Sequence, residues 1–193
     1  MFYSRKNKII TGVTALFLVG AGGFLLTTHL MGKGENENYP LFQFEESVQS
    51  AAIVLGEDYQ KFTHPDYGFS VEYPQELKIK AFAEDKDSQT IVFQKEEEKF
   101  GFQIFVSPFE EGEVLTQERI LEDLPSAIIE EPQEVIIGDG IHALLFWSFD
   151  PTIGKTREVW FPYQGYLYEI TTYAHLDIWL AQILSTWSFN NLF

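Results

Sequence analysis

The chain has 193 residues, with 29 acidic and 13 basic side chains, a formal net charge of −16 and no cysteine. The absence of cysteine excludes a disulfide scaffold, a thiolate metal site and a cysteine nucleophile. The acidic excess argues against a nucleic-acid partner, because such binding depends on Lys and Arg side chains that neutralise phosphates. We therefore expect a domain held together by its apolar core, which 18 Phe, nine Tyr and four Trp can supply.

An uncharged stretch near the start is the first predicted element. Ile9 to Met31 contains no Asp, Glu, Lys or Arg, and a helix of this length would reach about 34 Å, enough to cross a hydrocarbon core. Arg5, Lys6 and Lys8 precede it, and basic flanks favour the cytoplasmic side. The pattern predicts a cytoplasmic stub at residues 1–8 and a single-pass transmembrane anchor at residues 9–31. Everything after the anchor would then lie outside the cytoplasm.

A cleaved signal peptide is the alternative interpretation of the same stretch. Val19-Gly20-Ala21 has the small side chains of a processing site, and a basic segment precedes it. The apolar residues nevertheless continue through Leu26, beyond the point at which a signal peptide turns polar. This continuation favours an anchor that is retained.

The predicted anchor is followed by a tether and a globular domain. Gly32 to Asn38 is short and polar, as expected of a flexible linker. Ser47 to Leu55 is compatible with a short helix or a stalk, and both alternatives stay open. We place the tether at residues 32–58 and a single compact domain at residues 59–193.

In the first half of the domain, the sequence pattern predicts strands followed by a helix. Phe69, Val71 and Tyr73 alternate with polar residues, which is typical of a half-buried strand. Further strands are predicted at Leu77 to Phe82, Thr90 to Gln94 and Phe100 to Val106. Thr116 is a candidate N-cap of a helix that ends near Leu124.

In the second half of the domain, the sequence pattern predicts a meander of antiparallel strands followed by a C-terminal helix. Strands at Val135 to Gly138, Ala143 to Phe149, Lys155 to Pro162 and Tyr166 to Tyr173 are joined by short turns, which imply antiparallel neighbours. From about Leu176 an apolar stripe follows helical spacing, at Leu176, Leu180, Ile183, Leu184 and Trp187. The predicted fold class is α+β, with an antiparallel β-sheet flanked by helices.

Two short motifs in this domain resemble the PsbP-like family of small α/β/α-sandwich domains, named after an extrinsic photosystem subunit. Tyr67–Pro74 is similar to the family's opening strand segment, and Ile183–Phe189 to the end of its last helix, with Trp187 where Phe is usual. The resemblance covers roughly residues 59–189 and implies the sandwich fold. Many bacterial members are lipoproteins or membrane-anchored domains without known activity, and because this chain has no cysteine for a lipid, the resemblance implies a membrane-anchored domain. Neither motif carries catalytic residues, and no photosynthetic role is implied.

Two His-x-Asp pairs are the candidate metal ligands. His64 with Asp66, and His175 with Asp177, each place an imidazole two residues from a carboxylate. If the two loops met, these side chains could bind zinc tetrahedrally and serve a metal-assisted hydrolase. The alternative is structural, because Asp177 suits the first turn of a helix and His64 and Asp66 suit a turn. We favour the structural interpretation and expect no cofactor.

Aromatic side chains on the last three strands are the candidate ligand-binding residues. If exposed, Trp147, Trp160 and Tyr168 could form a platform for a carbohydrate or a peptide. If buried, they belong to the core, which is the interpretation we favour.

Sequence motifs of common enzymes are missing from the chain. It has no G-x-S-x-G elbow, no S-x-x-K, no H-E-x-x-H and no glycine-rich phosphate loop. Together with the anchor, this predicts a non-enzymatic, extracytoplasmic domain that binds or supports another cell-envelope component, with an envelope protein as the expected partner.

Overall fold

A computed structural model describes residues 58–189, apart from 85–86, 97 and 111–113. The predicted stub, the anchor from Ile9 to Met31 and the tether up to residue 57 lie outside the described residues. Among the residues that are described, no helix has the length and apolar character needed to cross a membrane.

The described chain is dominated by strands. Its elements are β1 (Tyr59–Thr63), β2 (Phe69–Pro74), β3 (Lys78–Ala83), β4 (Gln89–Gln94), β5 (Gly101–Pro108), α1 (Gln117–Asp123), β6 (Glu130–Ile137), β7 (Ile141–Asp150), β8 (Gly154–Tyr163), β9 (Tyr166–Tyr173), a 3₁₀ turn (Ala174–Leu176), α2 (Asp177–Leu184) and β10 (Ser188–Phe189).

The strands form two antiparallel sheets. The large sheet has the order β3-β4-β5-β9-β8-β7-β6, and the small sheet has the order β1-β2-β10. The step that joins the two halves of the large sheet is the pairing of β5 with β9, from Phe102 opposite Thr172 to Pro108 opposite Tyr166. A single pairing between distant strands therefore makes one continuous sheet from two meanders.

The main core lies between the first face of the large sheet and the layer formed by α2 and the small sheet. We define the first face by the side chains of Ile104, Val159, Phe161 and Ile170, all of which are buried. The apolar stripe predicted for the closing helix is buried along its whole length, at Leu176, Leu180, Ile183, Leu184 and Trp187. The observed helix is shorter than the predicted stripe, since it ends at Leu184 and leaves Leu176 in the 3₁₀ turn and Trp187 after the helix. Within α2, Leu180, Ile183 and Leu184 face the main core as predicted.

The opposite, second face of the large sheet is partly covered by α1. We define this face by Phe105, Leu144, Glu158 and Trp160, whose positions alternate with those of the first face. Ile120 of α1 is fully buried in an apolar cluster with Leu144 and Trp160. Helices therefore pack on both faces of the sheet, which confirms the predicted α+β class and the flanking helices.

The predicted helix start is also confirmed. Thr116 has extended backbone angles, and its hydroxyl accepts a hydrogen bond from the Arg119 amide at 3.2 Å. This bond satisfies one of the amide groups that a helix leaves unpaired in its first turn.

Two features of the sheets differ from the prediction of one sheet. β2 belongs to the small sheet, where it pairs with β1 and β10, because the alternation of its side chains indicates a strand without indicating its partner. β6 begins at Glu130, five residues before the predicted start at Val135. Its first five residues are exposed on this sheet edge and show no apolar alternation.

Candidate functional site

His64 of the first His-x-Asp pair is a buried turn residue, 4% exposed. Its Nδ1 accepts hydrogen bonds from the backbone amides of Asp66 and Tyr67, each at 3.2 Å. Its Nε2 then carries the ring proton and donates to Gln89 Oε1. Both ring nitrogens are therefore occupied by the fold, and the imidazole connects the β1–β2 turn to β4.

The second pair lies at the other end of the large sheet. Tyr67, which packs on His64, contacts Tyr166 at the start of β9 with ring centroids 4.9 Å apart. His175 is exposed in the 3₁₀ turn that follows the end of β9. A strand of this length spans roughly 25 Å. The structure thus separates the two pairs, and in its described part no group of three or more His, Asp or Glu side chains could hold a metal.

Asp177 has a different partner, the guanidinium of Arg157. The two groups form a forked pair, with Arg157 Nε to Asp177 Oδ1 at 2.6 Å and Nη2 to Oδ2 at 3.3 Å. The guanidinium also lies 3.7 Å from the centre of the Trp147 ring. Asp177 therefore fixes the start of α2 to β8 and holds a cation that covers one candidate aromatic side chain.

We predict that Asp177→Ala lowers the free energy of unfolding by roughly 2–3 kcal/mol, because it leaves the Arg157 charge, whose side chain is 9% exposed, without its counterion. The double variant Asp177→Ala/Arg157→Met, which also removes the charge, should recover part of the loss. Urea unfolding followed by circular dichroism measures both changes. A double variant no more stable than Asp177→Ala would contradict this assignment.

The three candidate aromatic residues do not form an exposed platform. Trp160 is 6% exposed and Tyr168 is 1% exposed, so both are core residues on opposite faces of the large sheet. Trp147 is half-buried, with Arg157 over its ring and the Lys155 ammonium 5.0 Å from its centre. All three side chains pack against other protein groups. A flat ligand could reach neither Trp160 nor Tyr168, because both are buried.

A group that sequence reasoning missed is a pair of buried carboxyl groups on the second face. Glu158 in β8 and Glu169 in β9 are 6% and 4% exposed. In the β8–β9 register, Glu158 stands opposite Thr171 and Trp160 stands opposite Glu169. The two carboxylic side chains are therefore diagonal neighbours on adjacent strands, a distance that long side chains can bridge.

The hydrogen bonds of the two carboxyl groups differ. Glu158 Oε2 accepts from the Trp160 indole at 3.1 Å and from the Thr171 hydroxyl at 2.7 Å. Glu169 Oε1 has no hydrogen-bond partner among the described residues, and the same is true of Oε1 of Gln103 on β5. We call Glu158, Glu169, Gln103 and Thr171 the carboxyl cluster, which is the most unusual electrostatic feature of the described domain.

Burial dominates the protonation of this cluster. It raises the pKa of Glu158 to about 7, although the hydrogen bonds that its carboxylate accepts oppose the shift. Burial, assisted by the nearby Glu158 carboxylate, raises the pKa of Glu169 well above its ordinary value. The sequence does not mark these two positions, because Glu158 follows the polar Thr156 and Arg157, and β9 carries Thr171 and Thr172 after Glu169.

The raised pKa of Glu158 gives a pH dependence of defined sign. Because the folded pKa of about 7 exceeds the ordinary 4.5, its stabilising contribution is complete below pH 4.5 and is lost as the pH rises to about 7. The loss is ~1.4 kcal/mol for each pKa unit. In Glu158→Gln, which still accepts both hydrogen bonds, the contribution of Glu158 is removed, so the free energy of unfolding should fall less with rising pH than in the wild type, while Glu169 still contributes.

The measurement compares the unfolding free energy of the wild type and of Glu158→Gln at pH 5 and pH 8. Glu134→Gln, at an exposed position of β6, is the matched control and should retain the wild-type pH dependence. Equal slopes in wild type and Glu158→Gln would refute the prediction.

Comparisons with known proteins gave matches among solved structures and none in the other two searches. No family model matches the chain, and a search of curated proteins found no match either. Among solved structures, the chain is similar to the solution structure of cyanobacterial PsbP (CyanoP) from Synechocystis sp. PCC 6803, with 12% sequence identity and a TM-score of 0.48. The match covers 74% of this chain and 99% of that chain.

Proposed function

We propose that this chain is a membrane-anchored, extracytoplasmic and non-enzymatic domain that binds or supports another component of the cell envelope. The observation that carries the proposal is the uncharged stretch from Ile9 to Met31, which follows the basic residues Arg5, Lys6 and Lys8. An anchor of this kind holds the acidic domain close to the membrane surface on the far side of the bilayer.

A binding role is supported by the structural contacts that the candidate catalytic and ligand-binding side chains make. His64 closes a turn, Asp177 neutralises Arg157, and Trp160 and Tyr168 fill the two cores. These groups maintain the shape of a rigid body whose surface is available to a partner. An anchored domain that presents a stable surface is what a supporting role requires.

The outer edge of the large sheet offers a surface where a partner could bind. Among the described strands β6 pairs only with β7, and Ile136 on this strand is 67% exposed. Open edges present backbone groups that can pair with another chain. We therefore propose the β6 edge as the position at which contact with an envelope protein should first be sought.

Fractionation of expressing bacteria tests the anchor. The full chain should stay in the membrane pellet after an alkaline wash, whereas the double variant Leu18→Arg/Phe24→Arg should lose this retention, because central charges oppose insertion. A wild-type chain in the soluble fraction, or a mature polypeptide that begins after residue 31, would overturn the proposal.

Site-specific photocrosslinking tests the partner. A photoreactive side chain at Ile136 should yield a discrete adduct with an envelope protein in intact cells, whereas the same group at Gln164, exposed in the β8–β9 turn, serves as control. Repeated absence of an adduct at Ile136, with an anchored and folded chain, would count against binding at this edge.

A further inference from the structure

Two buried oxygen atoms of the carboxyl cluster need a hydrogen-bond donor. Glu169 Oε1 and Gln103 Oε1 both have no partner within the part of the chain that the structure describes, and their residues are 4% and 5% exposed. An unpaired buried polar atom destabilises the fold, because it has lost its hydrogen bonds to water and gained none in return. Because the two atoms lie on neighbouring residues, one hydrogen atom placed between them would give both a hydrogen bond.

The strand register places these two side chains next to each other. In the β5–β9 pair, Gln103 stands opposite Thr171, and Phe105 stands opposite Glu169. Gln103 and Glu169 are therefore diagonal neighbours on the second face, with Cα atoms roughly 7–8 Å apart, a gap that two long side chains can close. An ionised carboxylate has only acceptors, and it could not satisfy the amide oxygen of Gln103.

We propose that Glu169 is protonated in the folded domain at neutral pH and donates its carboxylic O–H to Gln103 Oε1, so that the carboxyl cluster is a built-in proton-binding site. One proton then satisfies both unpaired atoms, because protonation converts an acceptor of Glu169 into the donor that Gln103 lacks. The site belongs to the folded domain and does not depend on the proposed membrane anchor.

The charges around Glu169 favour the protonated form. On β8 its neighbour is the Glu158 carboxyl, and Asp150 at the end of β7 acts on Glu158 in the same direction. The neighbouring strands β4 and β5 contribute the uncharged Thr90, Val92 and Phe105 to this face. On α1, the cation Arg119 is paired with Asp123 at 2.7 Å, and the other charged side chains are Glu118 and Glu122.

The proton also makes the second face sensitive to alkaline pH. When Glu169 loses this proton, its carboxylate carries a negative charge in a buried region and faces the amide oxygen of Gln103, which cannot donate to it. Glu158 is already ionised above pH 7, so the two negative charges then repel each other. The sheet face beneath α1 should then loosen before the rest of the domain, because the main core lies on the opposite face. The protonation state of the carboxyl cluster would thereby control the local stability of the second face.

Carbon-13 NMR of the full chain in detergent, with labelled glutamate carboxyl carbons, tests the proposal on the wild type itself. The Glu169 resonance, assigned by its loss in Glu169→Gln, should keep the chemical shift of a protonated carboxyl between pH 5 and pH 8. The Glu158 resonance should move to the ionised position over the same range, and exposed glutamates should already be ionised. A Glu169 resonance at the ionised position at pH 7 would overturn the proposal.

The hydrogen bond itself is tested by infrared spectroscopy of the Glu158→Gln variant at pH 8, where a carbonyl band of a protonated carboxylic acid should remain. The band should disappear in Glu158→Gln/Glu169→Gln and shift to higher frequency in Glu158→Gln/Gln103→Leu, because the donated hydrogen bond is lost. A band that Gln103→Leu leaves unmoved would refute the bond to Gln103. Absence of the band would mean that an ionised Glu169 accepts from a rotated Gln103 amide.

Discussion

Replacing Trp187 with alanine is expected to lower the free energy of unfolding by about 3–5 kcal/mol, the range for truncating a large core aromatic. Trp187 is 0% exposed and stacks on Phe69, with ring centroids 4.6 Å apart and planes 11° from parallel. It also meets the edge of Phe161 at 5.4 Å. The indole thus joins the small sheet, the end of α2 and the first face of the large sheet, so its loss opens a cavity where three elements meet.

The conservative variant Trp187→Phe separates packing from hydrogen bonding. The indole Nε1 of Trp187 is buried without a partner among the described residues, and removing an unpaired buried donor recovers part of the packing loss. We expect a cost of at most ~2 kcal/mol for Phe, well below that for Ala. Urea unfolding of both variants decides this, and equal costs for Phe and Ala would contradict the packing described here.

Replacing Gly138 with alanine is expected to destabilise the domain by about 3 kcal/mol or more. Gly138 lies in the β6–β7 turn with φ +44°, and an added Cβ would lie 1.8 Å from the carbonyl oxygen of Trp187. Its amide donates to the Leu184 carbonyl oxygen at 3.1 Å, so the turn is fastened to the end of α2. A methyl group here combines left-handed strain with displacement of a backbone carbonyl.

Gly140, two residues later in the same turn, provides the matched control. Its φ is +89°, but an added Cβ would meet nothing within 4 Å. Gly140→Ala should therefore cost only the backbone strain, ~1–2 kcal/mol. Thermal unfolding of the two variants side by side measures the difference, and a Gly140 variant as unstable as the Gly138 variant would show that the close approach to Trp187 is not the cause.

Local periodicity made much of the fold predictable. The limits predicted for β9 are those observed, because the turn residues Gln164 and Gly165 mark its start and the strand is rich in aromatic and β-branched side chains. The stripe of α2 and the N-cap at Thr116 were equally readable, since each depends on residues within a few positions of one another. Where the signal is contained in a short segment, sequence patterns are sufficient.

The arrangement of the sheets was not predictable in the same way. β2 pairs with β1 and with β10, and the latter is a two-residue strand more than a hundred positions away. β6 escaped detection over its first five residues, because an exposed edge strand has no core side to mark it. Partner choice between distant strands is decided by the packing of the whole domain.

At the candidate sites, too, features set by nearby residues were predictable and contacts with distant residues were not. The sequence indicated that His64 lies in a turn, but not that two backbone amides and Gln89 occupy its ring nitrogens. It gave no reason to single out Glu158 and Glu169, because their burial arises from the neighbouring strands and from what covers the second face. Buried polar clusters of this kind become visible only when the register of the strands is known.

Labelling of introduced cysteines tests whether the domain is anchored with its body outside the cytoplasm. The chain has no cysteine of its own, so each introduced thiol reports a single position. In intact cells, a membrane-impermeant maleimide should label Lys99→Cys, at an exposed position of the domain, and should label Ser4→Cys only after lysis. Labelling of Ser4→Cys in intact cells, or protection of Lys99→Cys until lysis, would refute this topology.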